Sequence, residues 1–230
     1  MMGNLAVLFE EITRCTGKPK CWGEKNPKCR KPVVLPCKQP KVMIITEQMN
    51  VSGKEMEKVR EDWDPSKVLL NLIREAKEKK KRIGIIPKIN DLFDGKFLQD
   101  FDINAMSFNR FYWTHFIKCP GNLRDRNFKG RGVVKEVCAD TFLLKEIREL
   151  RPELIVCLGG YASRWILTPV KWTDMLLKEL EWVIKGETQI PEREIQACGH
   201  QAKIVVLPHP SGRNPLATTL NEKLKTLLSL

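Results

Sequence analysis

His209 stands where the apolar run Ile204-Val205-Val206-Leu207 gives way to Pro208-His209-Pro210-Ser211-Gly212-Arg213-Asn214. The run reads as a buried strand and the residues after it as a rigid loop, which puts the imidazole at the strand's carboxyl end. A second run, Val42-Met43-Ile44-Ile45-Thr46, delivers Glu47, Gln48 and Asn50 at its end. A third, Leu154 to Leu158, stops at Gly159-Gly160, and a fourth, Phe111 to Ile117, carries His115. A carboxylate suits general base work, an imidazole offers a donor and an acceptor, and a glycine turn lets backbone approach a ligand. In open α/β sheets ligands bind at the carboxyl ends of the strands, where all four features fall.

The elements that must position these groups follow from the pattern between them. Leu5 to Ile12 predicts a short amphipathic helix, and Cys15 to Gln39 a loop rich in Pro, Lys and Cys. Pro65 to Lys80 predicts a helix with Pro65 near its start, and Arg82 to Ile86 a short strand. Asp91 to Phe108 is aromatic-rich with no clear period, and Pro120 to Gly132 reads as a loop. Helices are expected over Ala139 to Leu150, Tyr161 to Leu167, Thr173 to Ile184 and Pro215 to Leu228. This alternation argues for a parallel sheet covered by helices on both faces. With 230 residues the chain is most simply one domain, 1–230.

The formal net charge is +12 and the sequence pI about 9.4, with much of the excess in the first forty residues and in Lys77 to Arg82. Charge of this sign favours a polyanion such as DNA or RNA through counterion release. Lys79, Lys80, Lys81 and Arg82 also suit a helix end, where cations complement the dipole. The eight cysteines come without a secretory leader pattern, which favours metal over a disulfide scaffold. Cys157 lies inside an apolar run and reads as core, whereas Cys15, Cys21, Cys29 and Cys37 lie among Lys, Pro and Gly. That segment, about 15–39, needs something other than burial to order it and is read as a metal-binding loop. No run is long enough to span a bilayer, so a cytoplasmic protein without membrane contact is expected. The carboxylates do not cluster as the ligands of a metal-dependent hydrolase would.

The four strand ends, in this order, resemble the uracil-DNA glycosylase superfamily. Its first motif, Gly-Glu-x-Pro-Gly in the iron–sulfur branch (family four), is similar to Thr46-Glu47-Gln48-Met49-Asn50. Its Thr-Asn-x-x-Lys-Cys-x-Pro block is similar to Thr114-His115-Phe116-Ile117-Lys118-Cys119-Pro120, although here Pro120 follows Cys119 directly. Leu158-Gly159-Gly160-Tyr161-Ala162 matches its Leu-Gly-x-x-Ala signature, and His209-Pro210-Ser211 its terminal His-Pro-Ser. The resemblance runs from about residue 10 to the end, and its specificity lies in the combination of motifs.

The resemblance implies a three-layer α/β/α sandwich around a central, mainly parallel four-stranded sheet. It implies a DNA-repair glycosylase, a monomer, that hydrolyses the N-glycosidic bond of uracil or another deaminated base in DNA and leaves an abasic site. His209 would stabilise charge on the departing base, and Glu47 would orient water or stabilise the sugar cation. Gln48, His115 and Gly159 would meet the base, with Trp63 as the stacking aromatic and Phe93 or Phe97 as alternatives. Lys118, Arg124, Arg126, Ser211, Gly212, Arg213 and Asn214 would face the DNA. Cys119 and Cys138 fit two ligand positions of a [4Fe–4S] cluster, with Cys15 and Cys21 for the others and Cys29 as a substitute. Four thiolates also bind zinc, and spacing alone does not separate the two.

The departures fall in the first motif and at His115, which stands where the family has a base-reading asparagine. The protonation of an imidazole ordinarily changes near neutral pH. Two rival readings follow: a DNA-binding protein on this fold without catalysis, and a protein whose imidazole at 115 or 209 traps the sugar covalently.

Overall fold

A computed structural model describes residues 2–15, 32–50, 64–79, 84–121, 138–167, 192–197, 200–207 and 209. The helices expected at 173–184 and 215–228 lie outside the described residues. So do Trp63, Cys21, Cys29, Arg124, Arg126, Ser211, Gly212, Arg213 and Asn214.

The longest apolar runs form the middle of one sheet. Strand β1 (Val42–Asn50) pairs in parallel with β4 (Phe111–Gly121) on one side and β5 (Leu154–Leu158) on the other. Strand β7 (His200–Leu207) pairs in parallel with β5, which gives the order β4-β1-β5-β7 expected of a parallel core. A fifth strand, β6 (Glu192–Ala197), runs antiparallel to β7 at the edge. Its sequence, Glu-Arg-Glu-Ile-Gln-Ala, is too polar to read as a strand, and that polarity suits the last strand of a sheet. Every residue of β5 is buried, because a strand covered on both faces needs an unbroken apolar run rather than an alternating one.

Helices cover both faces. On one, α2 (Pro65–Lys79) buries Leu69, Leu70, Ile73 and Ala76 against Val42, Ile44, Val156 and Val205. Pro65 opens this helix, Asp64 Oδ1 accepts the amide N–H groups of Ser66 and Lys67, and Lys77 and Lys79 complement its last turn. On the other face, a π-helical turn (Ala139–Leu143) runs into helix Leu144–Leu150 and covers Met43, Ile45, Ile155 and Val206 together with Gly160–Leu167. Helix α1 (Met2–Thr13) places Leu8 and Ile12 against Phe142 beside this layer. The architecture is the three-layer sandwich that the sequence implied, with two apolar layers divided by the sheet. No helix among the described residues is long and apolar enough to cross a membrane.

Two expectations are corrected. The strand predicted over Arg82 to Ile86 is not formed at its described end, where Gly84 and Ile85 turn into α3 (Ile86–Leu92). Pro87 in the first turn presets helical φ, and Ile86, Ile89 and Leu92 recur on one buried face. The unassigned aromatic segment then becomes α4 (Lys96–Asp100) and a small hairpin, β2 (Phe101–Asp102) with β3 (Ser107–Phe108). Its rings pack on one another: Phe97 lies 4.7 Å from Phe108 and 5.7 Å from Phe111.

The described end of the cysteine loop is the second correction. Val33 and Leu35 are buried in the core, the Val33 N–H reaches Lys118 O at 2.8 Å, and the Phe108 N–H reaches Pro36 O at 3.0 Å. The stretch from Pro32 to Lys41 thus runs beside β3 and β4, held there by burial and backbone bonds, while residues 16–31 of the loop lie outside the described residues. Cys37 belongs to it, bonded through Sγ to Asn109 O at 3.5 Å, its thiol pushed up to about 12 by burial and by the Asp100 charge.

Candidate active site

The parallel register brings the sequence-predicted groups to one edge. Thr46 on β1 pairs with His115 on β4, Ile45 with Cys157 on β5, and Leu158 with Leu207 on β7. Thr46, His115, Leu158 and Leu207 therefore end one row across the sheet, with neighbouring strands about 4.8 Å apart. Glu47 and Gly159 occupy the next row, and His209 lies two residues past Leu207. Strands β5 and β7 stop at this level as expected, whereas β1 continues through Glu47 to Asn50 and β4 past His115 to Gly121, so Glu47 and His115 lie within their strands.

Gly159 and His209 are fitted to each other. Gly159 has φ +103°, a conformation that side chains rarely adopt, and its N–H holds Leu207 O at 2.8 Å. A Cβ built there would meet His209 Cβ at 3.4 Å and Cδ2 at 3.5 Å, ordinary van der Waals contact, so it is the positive φ rather than lack of space that calls for glycine beside the imidazole. The carbonyl of Gly159 accepts the Ser163 hydroxyl at 2.7 Å, which ties this turn to the first turn of Gly160–Leu167.

His209 is half-buried, and burial pulls its pKa below the ordinary 6.5. The Glu47 carboxylate opposes that shift, and Lys88 adds to it. Both charges act on the imidazole, so Glu47, Lys88 and His209 form one electrostatic group drawn from β1, α3 and the end of β7. Lys88 was not expected. Nothing in its local sequence marks it, because its place depends on α3 folding over this edge.

His115 differs from its expectation in protonation. Burial first, and the Lys118 charge second, push it down to about 3, so the ring is neutral at every physiological pH. Its Nδ1 is buried and has no hydrogen-bond partner among the described residues, and its ring stacks on Trp113 at 5.6 Å between centroids and 29° between planes. Thr46 Oγ1 accepts the Trp113 indole N–H at 3.0 Å and donates to Thr114 O at 3.3 Å. The alternation of β4 puts Trp113 and His115 on one face, a signal from which Trp113 could have been found.

Lys118 is a correction. It was expected at a DNA phosphate, but its side chain is 1% exposed and its ammonium pairs with Glu146 at 2.5 Å. Thr114 Oγ1 also bonds that ammonium, and the Tyr112 hydroxyl donates to Glu146 Oε1 at 2.8 Å. The charge neutralises a buried carboxylate and leaves nothing for a phosphate. Sequence reasoning missed Glu146, although its spacing from Leu143, Ile147 and Leu150 sets it on the buried face of its helix. Phe93 and Phe97, the alternative stacking aromatics, are core residues at 3% and 0% exposure. Gln48 is placed only by its backbone, opposite Ile117.

Of the expected metal ligands, Cys15 and Cys138 pack in one small cluster with Leu8, Ile12 and Phe142. The Lys118 amide donates to Cys138 Sγ at 3.4 Å, and Cys119 is buried next in sequence. Backbone N–H bonds to sulfur are of the kind that tune cluster thiolates. Among the described residues, no group of three or more His, Cys, Asp or Glu is arranged to hold a metal. Cys157 is core, as expected, its thiol raised by burial alone.

Comparison with known proteins adds to this geometry. Residues 33–229 match the family described as the uracil DNA glycosylase superfamily. The chain is also similar to a Type-4 uracil-DNA glycosylase of Archaeoglobus fulgidus, at 29% identity over 101 residues. That alignment spans 44% of this chain and 44% of the relative.

Proposed function

Because this chain belongs to the uracil DNA glycosylase superfamily, we propose that it excises uracil from DNA by hydrolysing the N-glycosidic bond, leaving an abasic site. The observation that carries this reading is the packing of His209 against the Gly159 turn at the carboxyl edge of the sheet, with Glu47 one residue past the paired Thr46 and His115.

In the proposed reaction the bond from the sugar C1′ to the base nitrogen breaks and its electron pair leaves with the base. The oxygen of a water molecule bonds to C1′, and the water's proton passes to a base. His209, kept neutral by burial, still has an N–H to donate to the base oxygen on which charge develops. The bond strengthens as the charge grows, which lowers the barrier more than it tightens substrate binding. Glu47 supplies the negative charge that orients the water or steadies the sugar cation. His115, neutral and with Nδ1 unbonded, offers the base edge a hydrogen-bonding group; an unmet buried nitrogen otherwise costs about 1–3 kcal/mol.

A [4Fe–4S] cluster belongs to the proposal by the family's pattern, with Cys15, Cys119, Cys138 and one of Cys21 or Cys29 as its ligands, although Cys15, Cys119 and Cys138 are not arranged as a metal-holding group in this structure. When bound it would supply a cross-link between α1, the end of β4 and the π-helical turn. Support for it comes from the shared packing of Cys15 and Cys138 and from the Lys118 amide on Cys138 Sγ. The stretch from Ser211 to Asn214 is a proposed DNA contact on the strength of the family motifs, and Arg124 and Arg126 are proposed phosphate contacts on their charge.

The test incubates the full chain with oligonucleotides containing uracil, single- and double-stranded, followed by alkaline cleavage at abasic sites. Strand breaks are expected, and His209→Ala should lower the rate by about 10² to 10³, the usual loss when one such donor is removed. DNA binding without base release would instead assign the chain a binding role. A protein band shifted on a denaturing gel would assign it covalent capture.

A further inference from the structure

Thr46 stands where the family's first motif has glycine, and His115 where it has asparagine; the structure joins these two departures through Trp113. The Trp113 indole donates to Thr46 Oγ1 at 3.0 Å, and its ring lies against the imidazole at 5.6 Å and 29°. From α4, Phe97 meets the indole edge-on at 6.0 Å and 72°. Thr46, Trp113, His115 and Phe97 are all buried, so none of these contacts competes with bulk water.

An imidazole turns about two side-chain bonds, and among the described residues nothing anchors the Nδ1 of His115. Contact with a flat ring restricts that rotation only if the flat ring is itself fixed. Thr46 fixes it through the indole N–H, and Phe97 blocks its tilt. A glycine at 46 would leave the indole N–H buried without its acceptor.

We propose that Trp113 and Thr46 are positioning residues that set the angle at which His115 meets the base, so that recognition of uracil depends on a threonine hydroxyl that never touches it. The proposal rests on the reading of His115 as the base-reading group. It makes the changes at 46 and 115 one adaptation: the asparagine amide is exchanged for an imidazole, and the glycine for the group that indirectly orients it.

The experiment uses the full chain carrying Thr46→Val, which keeps the shape of threonine and removes its hydroxyl. Thr46→Ser keeps the hydroxyl, and Trp113→Phe keeps an aromatic ring and removes the N–H. Thr46→Val and Trp113→Phe should each lower kcat/KM on a uracil oligonucleotide about tenfold, on the scale of one buried hydrogen bond, while Thr46→Ser restores it. In a His115→Asn background the same Thr46→Val change should have no further effect. An equal loss in both backgrounds would mean a general structural role and would overturn the proposal. Nitrogen NMR of the His115 ring provides a reading independent of catalysis. Its resonances should shift or broaden in Thr46→Val and Trp113→Phe and recover in Thr46→Ser; an unchanged ring in both variants also overturns the proposal. If the wild-type chain releases no base, the glycosylase reading fails by itself, and the NMR comparison decides whether the clamp exists.

Discussion

Burial pushes His115 down to about 3, against 6.5 for a free imidazole, and this difference links the residue to the stability of the fold. Above pH 6.5 the ring is neutral folded or unfolded and contributes no pH dependence. Below it the unfolded chain takes up a proton that the folded chain refuses until about pH 3, so stability falls as pH drops through that window. The expected slope from this group is about 1.4 kcal/mol per pH unit. Urea unfolding from pH 7 to 4 should show that slope in the wild type and its loss in His115→Asn; parallel curves would disprove it. Gly159 and His209 were legible in the sequence because each follows an apolar run where the strand stops, and Glu47 because it follows the apolar part of β1, although that strand continues to Asn50. The neutrality of His115 and the buried pairing of Lys118 were not, since both depend on neighbours supplied by distant segments. Lysine at a phosphate and lysine at a buried carboxylate look the same in a sequence.

Among the elements, β4 carries two kinds of chemistry on its two faces. Phe111 and Trp113 join the layer beneath α2, α3 and α4, whereas Tyr112 and Phe116 join the opposite layer. On that second side Thr114, Lys118, Glu146 and Tyr112 form a bonded group that fastens β4 to helix Leu144–Leu150. Removing one member of a buried ion pair strands the other, at a cost of about 3–5 kcal/mol. Glu146→Gln should lower the free energy of unfolding by about that much in urea titrations at pH 7, and a change below about 1 kcal/mol would show that the pair is not the fastening. The long parallel strands were legible from their apolar runs and α2 from its period. Strand β6 and helix α3 were not: a polar edge strand lacks an apolar signal, and a short isoleucine run before proline fits either state.

For the whole molecule, the net charge of +12 remains the broadest clue to its partner. With the Lys118 charge internally neutralised, binding to DNA has to rest on the other cations. The logarithm of the binding constant should fall linearly with the logarithm of salt concentration, by about 0.9 for each phosphate neutralised on duplex DNA. Lys118→Met should leave that slope unchanged in any variant that folds, whereas a drop of about one unit would return Lys118 to the DNA. The three-layer plan was legible from alternating elements, while the covered edge of β4 was not, because Pro32 to Lys41 carries no period that announces burial. The alternation of β4 has a further consequence for how this molecule tolerates change. Gaining a single residue between Trp113 and Thr114 would exchange the occupants of the two faces, sending an imidazole toward the buried carboxylate and a threonine toward the base. A substitution leaves every side chain of this strand on its own face; a change of length does not.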